Sequence, residues 1–143
     1  MIEKIVAALG GNVAGLDIGA LGVTFKATTD DLRESPAIEI IRGLIGLGAS
    51  IRAYDPEGIE RARKVLPSVT FVENPYEVAQ DADGLIILTE WSEFATLDLD
   101  RVREGLRVPV IVDLRNLYHP QEVVTAGLAY HSVGHRPAQP GEI

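Results

Sequence analysis

Lys26 and Arg33 are the residues of this chain whose type and spacing point first to chemistry. They stand seven residues apart in the stretch Gly19 to Pro36, GALGVTFKATTDDLRESP, where an apolar segment, Ile18 to Phe25, gives way to a loop rich in Thr and Asp and then to a helix start. The helix start has a physical reason. Ser35 can accept from an orphan backbone N–H, and Pro36 at the first helical position gives up a donor that has no partner there. Backbone N–H groups, the positive end of the helix dipole and two cationic side chains converge on one corner, which favours an anion. Two more loops carry polar types after apolar runs, Thr89-Glu90-Trp91 and Asp113-Leu-Arg115-Asn116.

Several chemistries are absent. The turn after the first apolar strand, Gly22-Val-Thr-Phe-Lys26, has no G-x-G-x-x-G, and no G-x-x-x-x-G-K-[ST] occurs, so neither phosphate-binding fingerprint is present. Asp55 stands where a dinucleotide domain places its ribose-binding acid, but ahead of Pro56 it also reads as a plain turn residue. With no cysteine there is no disulfide, thiolate metal site or cysteine nucleophile. Asp30-Asp31 lacks further ligands and reads as a turn feature, not a metal site. His119, His131 and His135 have no nucleophile or ligand partner at informative spacing.

Length and composition bound the rest. The 143 residues suit one domain with a proper core, and 46% hydrophobic with 24% charged residues is the balance of a soluble globular protein. Neither a membrane span nor a signal peptide is indicated, so the expected location is cytoplasmic. A net charge of −8 argues against nucleic acid as a partner. A local cationic pocket in an acidic protein still suits a small phosphorylated ligand.

Strand and helix patterns alternate along the whole chain. A short amphipathic helix with Ile2, Ile5, Val6 and Leu9 ends at Gly10-Gly11. After the first strand, the run Ala37, Ile38, Ile40, Ile41, Leu44, Ile45, Leu47 predicts a helix closed by Gly48. Strands are expected at 49–54, 69–72, 84–88, 108–112 and 128–133, and helices at 57–66, 75–81, 99–106 and 120–126. Short connections between alternating elements predict right-handed crossovers and an α/β, Rossmann-like doubly wound, mostly parallel six-stranded sheet with helices on both faces. In the order 3-2-1-4-5-6 the first, fourth and fifth strands are neighbours. The loops after them would share the crevice at the switch point, where ligands of such sheets bind.

Taken together, Leu21-Gly-Val-Thr-Phe-Lys26, Thr29-Asp-Asp-Leu-Arg-Glu-Ser-Pro36, Ala53-Tyr-Asp-Pro56, Ile87-Leu-Thr-Glu-Trp91 and Val112-Asp-Leu-Arg-Asn-Leu-Tyr118 closely resemble the C-terminal, UDP-binding domain of the UDP-glucose/GDP-mannose dehydrogenase family. The resemblance runs from about Gly15 to Gly134. The Thr-Glu-Trp and Arg-Asn-Leu-Tyr segments are more similar to its UDP-glucose branch. The resemblance implies two segments: residues 1–14, the end of an interdomain and dimerisation helix with its turn, and residues 15–134, the UDP-binding domain. Residues 135–143, with Pro137, Pro140 and Gly141, are expected to be a disordered tail.

The same resemblance implies that Phe25 and Lys26 contact the UDP-sugar, that Arg115 binds the nucleotide-sugar and that Arg33 reaches NAD bound on the N-terminal domain. Lys as a point charge and Arg as a planar fork both suit a diphosphate. Without a ligand, Arg115 could instead pair with Asp113 or Glu90, and Arg33 with Asp30, Asp31 or Glu34. Trp91 reads as a packing residue or interface anchor, or as part of the nucleotide pocket. The family's chemistry is a two-step oxidation of a sugar alcohol to a carboxylate with NAD and a catalytic cysteine. This chain lacks that cysteine, the glycine-rich fingerprint and the N-terminal NAD-binding domain. It is therefore expected to be the nucleotide-sugar part of an NAD-dependent oxidoreductase that makes UDP-glucuronate, inactive by itself, with the missing domain as a partner and a homodimer in the full enzyme. The alternative is a stand-alone UDP-sugar-binding or dimerisation module without redox activity.

Overall fold

A computed structural model describes residues 2–23, 36–57 and 59–132, apart from the side chain of Arg61. In chain order the elements are α1 (Ile2–Ala8), β1 (Asp17–Leu21), α2 (Pro36–Gly46), β2 (Ser50–Tyr54), α3 (Ile59–Val65), β3 (Thr70–Phe71), α4 (Pro75–Ala79), β4 (Leu85–Ile87), α5 (Ser92–Ala95), α6 (Leu99–Gly105), β5 (Val110–Asp113), α7 (Pro120–Thr125) and β6 (Ala129–Ser132). The six strands form one sheet in the order β3-β2-β1-β4-β5-β6, and every neighbouring pair is parallel. The doubly wound order expected from the alternation is therefore the observed one, and β1, β4 and β5 lie side by side.

Side chains of successive strand residues alternate between two cores, as the pleat requires. Ile18, Ala20, Ile51, Ala53, Ile86 and Val112 belong to one core with α2 and α3. Leu21, Leu85, Ile87, Ile111 and Tyr130 belong to the other with α4 to α7. Helices following β1 and β2 thus cover one face, and those following β3, β4 and β5 cover the other, which is how a doubly wound sheet buries both sides.

The face that holds α2 and α3 also takes α1. Ile5 is fully buried in that core, and Ile2, Val6, Ala8 and Leu9 pack against it. Two glycines make the approach possible: a Cβ on Gly43 would lie 2.2 Å from Ile2 Cδ1, and one on Gly84 would lie 2.5 Å from Leu9 Cδ2. A helix this short is marginal alone, so its stability comes from this docking. Burying a residue the size of Ile5 contributes about 1.5–3 kcal/mol.

Element limits differ from the pattern-based ones in physically readable ways. The first strand stops at Leu21, four residues short of Phe25, because Gly22 takes a φ of +95° and turns the chain out of the sheet. The short helix α5 was not expected, and it follows Thr89-Glu90-Trp91 directly. Phe94 from α5 is fully buried, so one aromatic anchor holds it where no long apolar period could announce it. The tail expected at 135–143 lies outside the described residues.

Candidate functional site at the carboxyl ends of three strands

Hydrogen bonds hold the exits of β1, β4 and β5 together beyond the strands proper. Leu88 N–H donates to Leu21 O at 2.9 Å, and Leu114 N–H donates to Ile87 O at 3.1 Å. Gly22 then presses against the β4 exit, since a Cβ placed on it would come within 2.4 Å of Thr89 Cβ. Val23 N–H donates to Asp55 Oδ2 at 2.8 Å, which binds the β1 exit to the end of β2. The described chain breaks off after Val23 and resumes at Pro36, so Phe25, Lys26 and Arg33 fall between. Those three residues, with Asp30, Asp31 and Glu34, lie outside the described residues.

Arg115 is described, and its position is built by the turn after β5. Asp113, fully buried at the end of that strand, accepts from Arg115 N–H through Oδ1 at 3.0 Å. Its Oδ2 accepts from Tyr118 N–H at 3.1 Å and from the Tyr130 hydroxyl at 2.8 Å. Asn116 has a φ of +56°, the left-handed conformation that asparagine tolerates better than most residues, so the chain reverses there. The Arg115 side chain reaches across to the β4 exit, where Nη2 lies 3.1 Å from Glu90 Oε1. Of the two acidic partners considered for this arginine, Glu90 takes the guanidinium and Asp113 takes only the backbone N–H.

The carboxylate of Asp113 makes the surrounding polar core self-consistent. Burial, followed by the charge of Asp113, pushes the Tyr118 phenol well above its ordinary value. Burial and then the hydrogen bond to Asp113 do the same for Tyr130. Both phenols therefore remain donors at neutral pH, Tyr118 to Phe94 O and Tyr130 to Asp113. Tyr118 and Tyr130 were not singled out from the sequence. Their signal is weak, because a buried tyrosine, between elements like Tyr118 or in a strand like Tyr130, looks like any other core aromatic until its hydroxyl has a partner.

Trp91 precedes α5 and packs, partly buried, against the second core, as a packing residue would. His119 precedes α7 without capping it through its side chain. His131 is half-buried on β6, and burial followed by the charge of Lys4 on α1 lowers its pKa. An open cleft of about 410 Å³ lies at the same end of the sheet towards β2 and β3, lined by Tyr54, Tyr76, Glu93 and Arg101 among others. Nothing in the sequence pattern announced it.

The sheet order, the polar exits and the Asp113-Leu-Arg115-Asn116 turn agree with a match to the UDP binding domain of the UDP-glucose/GDP-mannose dehydrogenase family over residues 19–120. The chain belongs to that family. A UDP-glucose 6-dehydrogenase of Rhizobium meliloti (strain 1021) is 47% identical over 134 residues, which cover 94% of this chain and 31% of that protein. Among solved structures, a UDP-glucose dehydrogenase from Pyrobaculum islandicum superposes with a TM-score of 0.73 at 34% identity, over 91% of this chain and 28% of the other. An NDP-N-acetyl-D-galactosaminuronic acid dehydrogenase from Methanosarcina mazei Go1 gives 0.81 at 28% identity, over 94% and 28%. The domain thus spans about a third of the length of the relatives it matches. Among its described residues no helix is long and apolar enough to cross a membrane.

Asp55 does not fit the ribose of a dinucleotide. This residue, the sequence's candidate for a ribose acceptor, is 1% exposed. Both of its oxygens are engaged by backbone donors, Oδ2 by Val23 and Oδ1 by Glu57. A ribose diol needs an open carboxylate edge in the cleft, so Asp55 is the turn residue its sequence context suggested.

Proposed function

We propose that the domain is the nucleotide-sugar half of an NAD-dependent UDP-glucose 6-dehydrogenase that makes UDP-glucuronate, with the diphosphate held at the exits of β1 and β5. The observation that carries this reading is the placement of Arg115. A locked turn after β5 delivers the guanidinium to Glu90 at the exit of β4, the strand that lies next to β1. In this reading Phe25, Lys26 and Arg115 bind the UDP-sugar, and Arg33 reaches towards NAD. The dinucleotide and the catalytic cysteine belong to another domain, and residues 15–134 form the binding unit. Residues 1–14 join it to that domain, and the whole enzyme is a cytoplasmic homodimer. The identity to UDP-glucose 6-dehydrogenases supports the choice of sugar nucleotide.

Calorimetric titration with UDP-glucose, UDP and NAD tests this. The expected result is binding of the two uridine nucleotides but not of NAD, lost in Lys26→Ala and in Arg115→Ala. Undiminished UDP binding in both variants overturns the assignment. One observation favours a second reading, a self-sufficient module without redox activity: α1 buries Ile5 in the core instead of presenting its apolar face.

A further inference from the structure

Resting on that reading, we propose that Glu90 is a counter-charge to Arg115 that an incoming diphosphate must displace or share, so that the β4 exit sets how tightly the site holds its anion. The guanidinium is not waiting empty at the switch point. Its Nη2 is 3.1 Å from Glu90 Oε1, and both side chains are near the surface, 40% and 55% exposed, where a ligand can reach them.

Both ends of the pair are held by the backbone. Glu90 follows Thr89, which is buried against Gly22 at the β1 exit. Arg115 is held through its own N–H by Asp113, which Tyr118 and Tyr130 hold in turn. The two charges therefore face each other across adjacent strand exits, and the pair is not a chance meeting of two long side chains.

The consequence follows from electrostatics. A guanidinium already bonded to a carboxylate gains little by exchanging it for one phosphate oxygen, because one charge-assisted contact replaces another. A ligand binds well only if it makes a further contact besides the one to Arg115. A diphosphate can do so, and it does not then depend on Arg115 alone. Glu90 also repels the bound anion at close range, which favours release of a nucleotide product. Neutralising Glu90 while keeping its shape should strengthen binding of any phosphate at Arg115. The gain expected from one half-exposed pair is between about twofold and fivefold.

The test uses the whole chain, inorganic pyrophosphate and UDP as probes, and Glu90→Gln and Glu93→Gln as variants. Glu93 lies on α5, where it accepts from the Tyr54 hydroxyl, and it serves as a control for general loss of negative charge. Affinity is read by titration, and the Arg115 guanidinium is followed by its side-chain 15N resonance. The expected result is a two- to fivefold tighter binding of both probes in Glu90→Gln, no gain in Glu93→Gln, and a pyrophosphate-induced shift of the Arg115 resonance that is larger in the wild type, where a partner is exchanged. Unchanged or weaker binding in Glu90→Gln overturns the proposal. So does an equal gain in Glu93→Gln, or an Arg115 resonance that neither probe moves. If pyrophosphate behaves as expected and UDP binds no tighter than pyrophosphate, the counter-charge stands and the nucleoside reading of the site fails.

Discussion

The Tyr130 hydroxyl donates to Oδ2 of Asp113 at 2.8 Å, joining the last two strands of the sheet beneath the turn that carries Arg115. The bond is buried, so its removal acts first on stability. Tyr130→Phe leaves Asp113 with two backbone donors, and a hydrogen bond to a charged acceptor contributes about 1.5–3 kcal/mol. The midpoint of thermal unfolding should fall by several degrees. Asp113→Asn should cost more, since its amide N–H2 would oppose Arg115 N–H or Tyr118 N–H, and calorimetric melting of the two variants checks the order.

Gly22 combines a φ of +95° with contact to Thr89, whereas Gly10 has a φ of +101° with nothing within 4 Å of a Cβ. Gly10→Ala should cost only the backbone strain, about 1–2 kcal/mol. Gly22→Ala must in addition push the β1 exit off the β4 exit, so it should destabilise more and weaken UDP binding too. Urea unfolding of both variants, with a UDP titration, distinguishes strain from displacement of the site.

Ile5 measures whether α1 is part of the folding unit. Truncating a fully buried isoleucine costs about 2–5 kcal/mol. Ile5→Ala should lower the urea midpoint of the entire cooperative transition, not produce a separate early phase. A wild-type midpoint in the variant would show that the helix is an ornament on the sheet.

Two kinds of group bound the pH range of stability. The phenols of Tyr118 and Tyr130 have folded pKa values raised above the ordinary 10, so their contribution is fully present below pH 10 and is lost as pH rises beyond it. His131 has a folded pKa lowered from 6.5, so its contribution is present above pH 6.5 and declines as pH falls below. His131→Gln should flatten the acid limb and Tyr130→Phe the alkaline limb when unfolding free energy is followed by urea titration across pH.

How much of this was legible in the sequence depends on the range of the forces involved. Periodicity, Pro36 and Pro120 at helix starts and the apolar runs of β4 and β5 are local, and they sufficed for the six strands, their doubly wound order and the polar exits of β4 and β5. The motif resemblance also placed the chain in its family, and the residue patterns and the fold agree. Arg115 was marked as a binding residue, with Glu90 as one possible partner. Only the tertiary structure decided between Glu90 and Asp113, because the choice depends on which carboxylate the turn leaves free. Asp113 is consumed by one phenol and two backbone N–H groups, from positions 115, 118 and 130. Likewise Asp55 reads as either ribose acid or turn residue until the β1 exit is seen to occupy it. Sequence by itself determined what could be charged or buried. Folding decided which donors reached each carboxylate first, because a buried acid must be satisfied by whatever the packed chain brings within about 3 Å.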